Sequence, residues 1–164
     1  MSELEDTVRA LEERIKQLED QQAIYRLVSS YGPAMDTGSG PECGSLWADD
    51  GVYEYDDRRA YGPAGVAAMA EAEYQAKLTR EGCAHVMAMP LVELDGDTAV
   101  ATCYSRVYRH GDDGYWVWRV SANRWELVRT PDGWRVKRRI NRTLNGQPDA
   151  RNILRRAVGA QLET

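Results

Sequence analysis

The spacing of apolar positions changes near Gly82, and that change divides the chain. Before it the period is helical. Leu4, Val8, Leu11, Ile15 and Leu18 recur at alternating spacings of four and three within a charged segment, a short a/d stripe of about two heptads. Ser2 with Glu5 three residues later supplies a capping box at its start. A second helix is expected from about Glu19 to Ser30, with Ile24, Leu27, Val28 and Tyr31 turned inward and a break at Gly32-Pro33. After a segment rich in Gly, Pro and Ser, "SLWADDGVYEYDD" reads as a helix end followed by a strand. "GPAGVAAMAEAEYQAKL" reads as a further helix starting near Pro63.

From Gly82 onward the period is two. "CAHVMAMPLVEL", "TAVATCYSRVYRH", "YWVWRVSANRWELVRT" and "WRVKRRINRTL" predict four long strands, and "DGD", "GDDG" and "PDG" supply hairpin turns between them. Helices followed by an antiparallel meander, long enough to require bending, predict an α+β fold. On the first of these strands Cys83, His85, Met87 and Met89 share a face. A turn centred on Asp95-Gly96 would set Arg106 opposite His85, with Tyr104, Tyr108 and His110 on the same face. His110 precedes "GDDG" and is expected at an exposed hairpin tip.

The remaining features bound the function. At 164 residues the chain reads as one domain, with an N-terminal helical extension (1–18), an α+β barrel domain (19–146) and a C-terminal segment with some helix (147–164). No apolar run approaches a membrane span, and no signal-peptide core is present. Three cysteines without paired spacing favour reduced thiols and a cytoplasmic setting. A net charge of −5 argues against nucleic acid as a partner. The basic residues between 135 and 156 read either as a solvated face paired with acids or as a place for an anionic substrate handle.

The order of elements resembles the SnoaL-like, nuclear-transport-factor-like superfamily of cone-shaped α+β barrels over residues 15–145. Within it, "LEDQQAIYRLVSSYGPAMD" and "GCAHVMAMPLVEL" resemble the dehydratase branch that includes bile-acid 7α-dehydratase, scytalone dehydratase and hexachlorocyclohexane dehydrochlorinase. The resemblance implies that Asp36, at the end of the pocket helix, holds His85 on the facing strand. It implies that Tyr31 completes the catalytic set and that Tyr55 lines the substrate pocket. A basic residue of the last strand would contact substrate there, Arg142 or, with one gap, Arg139. It also implies a homotrimer, with a dimer as the alternative.

The same residues make chemical sense without the family. A neutral imidazole is an effective general base near neutral pH, and a carboxylate on its other nitrogen fixes the tautomer and stabilises the imidazolium. That set suits elimination of water from a hydrophobic cyclic substrate such as a steroid or polyketide, with neither metal nor cofactor. An isomerase or cyclase would use the same base, and a non-catalytic ligand-binding module would use none. A satisfied core histidine is the structural alternative for His85. Cys83, His85 and Asp36 could ligate a metal, but no zinc-type spacing accompanies them. Regular helical geometry sets Tyr31 and Asp36 about 140° apart, so a distortion at Gly32-Pro33 is expected to bring both to one pocket.

Overall fold

Helix α1 (Glu3–Asp36) is one continuous element where two were expected. The capping box at its start is formed: Glu5 N–H donates to Ser2 Oγ (3.3 Å) and Ser2 N–H to Glu5 Oε2 (2.8 Å). Pro33 does not stop the helix. Its missing N–H leaves only the Ser29 carbonyl without a helical donor, and Ser29 and Pro33 both face solvent, where water can serve it. The helix ends at Thr37, whose N–H and hydroxyl both return to the Pro33 carbonyl. The chain is described here from a computed structural model that covers residues 2–163.

After α1 come α2 (Gly40–Gly44), β1 (Trp47–Tyr55), β2 (Arg58–Tyr61), α3 (Gly62–Glu71) and α4 (Glu73–Glu81). Then follow β3 (Cys83–Met87), β4 (Leu91–Asp95), β5 (Thr98–Gly111), β6 (Gly114–Thr130), β7 (Gly133–Thr143) and α5 (Pro148–Ala157). The strands make one curved, unclosed sheet in the order β2-β1-β7-β6-β5-β3, with β4 also on β5. Its concave face packs Trp47, Tyr53, Ala101, Cys103, Trp125 and Val136 against Ile24, Val28, Tyr31 and Met35 of α1. Each of those aliphatic side chains contributes about 1.5–3 kcal/mol when fully buried. The reverse face is covered by α5 through Ala150 and Ile153 on Ala122.

The β5–β6–β7 meander matches the pattern, but three features depart from it. First, β1 lies parallel to β7, so the sheet is mixed. Second, the expected first long strand divides at Ala88-Met89-Pro90, where Pro90 can donate no ladder bond. Third, the β4–β5 turn falls one residue later than expected, with Asp95 opposite Thr98, and the break before β4 shifts the register again. The result is His85 opposite Val107, and Arg106 opposite Val86 on the other face. An odd slip exchanges the faces of a strand, so Arg106 and Tyr104 point away from His85. His110 is exposed at its hairpin end, against Tyr115.

Candidate active site

Asp36 and His85 meet. The Asp36 carboxylate grips the residue twice: Oδ1 lies 2.5 Å from His85 Nδ1, and Oδ2 accepts the His85 backbone N–H at 2.7 Å. Nδ1 of a neutral ring facing a carboxylate carries the proton, so Nε2 is the basic atom. Nε2 has no hydrogen-bond partner among the described residues. Cys83 Sγ, 3.6 Å from Asp36 Oδ1, adds a weak donor. Burial, and then the neighbouring Asp36 charge, push the Cys83 thiol above its usual range, so it stays protonated and is a poor nucleophile. Gln75 of α4 ties the cluster together, its amide reaching the Met35 carbonyl (3.2 Å) and Cys83 Sγ (3.8 Å).

No helix distortion is needed to bring Tyr31 and Asp36 to the same histidine. Gly32 does this instead. A Cβ built on Gly32 would lie 2.1 Å from the His85 carbonyl oxygen, so only glycine lets α1 touch β3 at this level. On a regular helix residue 32 lies between residues 31 and 36 in angle, about 100° from one and 40° from the other. With the strand drawn in against Gly32, both flanks reach His85: Asp36 by hydrogen bonds, and Tyr31 edge-on with ring centroids 6.5 Å apart. Sequence reasoning read Gly32 as a helix breaker; the usable signal was a glycine one turn before the acid.

Deeper in the concave face, Arg139 is 1% exposed. Its guanidinium carbon lies 4.0 Å from the Tyr31 ring centroid, 4.5 Å from Tyr53 and 4.0 Å from Trp125. Asn123 Oδ1 accepts from Nε (3.1 Å) and Nη2 (2.8 Å), while Nη1 is buried without a partner. No carboxylate pairs with it among the described residues. Burial of an isolated charge costs several kcal/mol, and a cation over an aromatic ring recovers about 0.5–2 kcal/mol. Arg139 therefore retains unused capacity for an anion.

Its neighbours in sequence behave otherwise. Lys137 pairs with Asp50, Arg138 with Glu54, Arg142 with Glu54 and Asp149, and Arg151 and Arg155 with Glu163. Arg142 is thus on the opposite face from the dyad, and Arg139 takes the inward position. The cause is a bulge. Glu126 pairs with Arg138 but Leu127 with Val136, leaving Lys137 unpaired and reversing the alternation that begins with Trp134 and Val136.

Tyr55 is half-buried and stacks on Tyr53 at 5.2 Å, one ring removed from Tyr31. Burial, then the Tyr53 hydroxyl, raise the Tyr31 phenol well above its usual range, with Arg139 opposing, so Tyr31 is a protonated hydroxyl. The expected open cavity lined by Tyr31 and Tyr55 is not what surrounds the pair. Packed rings and Arg139 occupy that interior. A concavity of about 920 Å³ lies elsewhere, between Trp47, Asp50, Glu93, Thr98, Arg124 and Lys137.

A long helix laid across a curved, unclosed sheet makes an α+β domain of the NTF2-like type. The chain belongs to the SnoaL-like domain family, whose model matches residues 16–140. It is 40% identical to an NTF2-like protein with a cystatin-like fold from Novosphingobium aromaticivorans, over 88% of this chain and 94% of that one, with a TM-score of 0.86. Two more distant structures share the fold. A scytalone-dehydratase-like protein from the same organism is 18% identical over 77% of this chain and 85% of its own, TM-score 0.65. A Catenulispora acidiphila protein in complex with S-DNPA is 21% identical over 76% and 93%, TM-score 0.65. No curated protein matches the chain. No helix among the described residues is long and apolar enough to cross a membrane.

Proposed function

We propose that the protein is a lyase of the dehydratase type, acting on a hydrophobic cyclic substrate, such as a steroid or polyketide, that carries a carbonyl and a β-hydroxyl. The 2.5 Å contact between Asp36 Oδ1 and His85 Nδ1 carries this reading. His85 Nε2 removes the proton on the carbon beside the carbonyl. The electron pair moves onto the carbonyl oxygen, and Arg139, with no acid of its own, stabilises the oxyanion that forms once the rings packed around it part to admit the substrate. Collapse of that enolate forms the carbon–carbon double bond and expels the β-hydroxyl, which takes the imidazolium proton and departs as water. Asp36 stabilises the intervening imidazolium, and the Tyr31 hydroxyl is available as a donor. Positioned proton transfer contributes about a hundred- to ten-thousand-fold.

The test is a panel of cyclic β-hydroxy ketones incubated with the protein in heavy water. Loss of water is followed by mass spectrometry and exchange at the carbon beside the carbonyl by NMR. Dehydration that disappears in His85→Ala supports the lyase. Exchange or rearrangement without loss of water would reassign the base to an isomerase or cyclase. The packed interior around Arg139 is the observation favouring a second reading, a non-catalytic ligand-binding module. That module would bind ring compounds yet leave their protons unexchanged.

A further inference from the structure

The first half of α1 has an apolar stripe that the other described residues do not cover. Leu4, Val8, Leu11, Ile15 and Leu18 are all exposed, from 45% to 72%. The other half of the same helix is anchored: Ile24, Leu27, Val28 and Tyr31 are buried in the sheet, and Asp20 holds Arg129 through two hydrogen bonds and accepts from Trp134 Nε1. Because the helix is continuous, the two stripes can be compared by angle. Ile15 and Ile24 are nine residues apart, about 180° around the axis, and Val8 and Ile24 about 160°. The stripe therefore faces away from its own domain. Leu18, at its margin, borders a groove with Val92 and Leu94.

We infer that residues 4–18 form a parallel, two-stranded coiled coil with the same helix of a second copy of this chain. Spacings of four and three make Leu4, Leu11 and Leu18 the d positions and Val8 and Ile15 the a positions. β-branched a residues with leucine at d favour two strands over three. The flanking charges select the direction. The e positions are Glu5, Glu12 and Glu19, and the g positions are Thr7, Arg14 and Gln21. Parallel strands bring each g beside the next e of the partner, so Arg14 meets Glu19 twice per dimer. Antiparallel strands would bring glutamates against glutamates. Two heptads make a marginal coil in isolation, because a short helix must first nucleate. Here the anchored half already supplies the nucleus.

The full chain should run as a dimer by light scattering at micromolar and higher concentrations. Leu11→Glu combined with Ile15→Glu should make it a monomer while near-UV circular dichroism stays unchanged, because neither side chain belongs to the buried core. A Leu4→Cys chain should oxidise to a cross-linked dimer, because parallel strands place the two copies of residue 4 at one level. A monomeric wild type overturns the proposal, and so does a trimer, the assembly the dehydratase resemblance implies. A dimer that survives the double substitution removes the helix from the interface. A dimer whose Leu4→Cys variant fails to cross-link overturns the parallel arrangement.

Discussion

Replacing Gly32 with alanine should separate α1 from β3 and release the histidine. The new Cβ would sit 2.1 Å from the His85 carbonyl oxygen and 3.2 Å from its carbon, both backbone atoms that cannot rotate aside. Relief requires the helix and strand to part by about an ångström, and overpacking of this kind costs about 1–3 kcal/mol or more. Against it stands the helix propensity of alanine over glycine, at most about 1 kcal/mol. The clash wins, and a net loss of about 2 kcal/mol should lower Tm by about 4–8 °C. Gly65→Ala in α3 is the control. Its Cβ would meet nothing closer than 3.6 Å, so propensity alone should act and Tm should hold or rise. Thermal unfolding by tryptophan fluorescence gives the stabilities. The downfield proton of an imidazole shared with a carboxylate reports the Asp36–His85 bond. A Gly32→Ala protein as stable as wild type, with that resonance intact, would refute the close-approach argument.

Asp36→Asn should lower turnover of a dehydrated substrate by about a hundred- to ten-thousand-fold, since the imidazolium loses its counter-charge while the fold remains; unchanged kcat would sink the dyad. Arg139→Met should keep Tm within a few degrees, because exchanging a buried charge for an apolar side chain is often neutral and Asn123 Oδ1 still accepts from Asn141 (3.0 Å). The same change should abolish activity, and large destabilisation with activity retained would assign Arg139 to structure alone. Asp20 should account for part of the fold's loss of stability in acid. The Arg129 hydrogen bond, with Trp134 adding and burial opposing, holds its carboxyl below the usual range. That contribution is complete above the ordinary carboxylate value of about 4 and is lost as pH falls through the lower folded value. Asp20→Asn should therefore flatten the acid limb of a stability–pH curve; an unaltered limb counts against this role.

Much of this arrangement was legible in the sequence, and the gaps have physical causes. The hairpins from Thr98 to Thr143 follow from strict alternation and their turn residues, and the pairing of Asp36 with His85 follows from the family resemblance. What failed were the places where one residue changes parity. The bulge at Lys137 exchanged Arg142 for Arg139, and the break at Ala88-Met89-Pro90, added to a turn one residue late, exchanged Arg106 for Val107. Neither slip leaves a mark in composition, because the register is set by the neighbouring strand. Pro33 misled in the opposite way: an interior proline need not end a helix, and here the carbonyl it orphans is in water. The parallel placement of β1 was invisible because its partner lies at the far end of the chain.

That last feature governs how the molecule is assembled. Arg138 and Glu54, joined across the parallel pair, are 84 positions apart. Until β7 has been synthesised, β1 can pair only with the four-residue β2, and Tyr53 lacks the guanidinium on which it will stack. Long-range parallel pairing is slow because the intervening chain must be closed into a loop before any contact forms. A nascent chain leaving the ribosome would thus carry a formed α1 and an unclaimed first strand for most of its synthesis. The Arg139 cluster draws on residues 31, 53, 125 and 139, so it can close only after nearly the whole chain has emerged. Chaperone engagement should accordingly concentrate on chains stalled before Gly133.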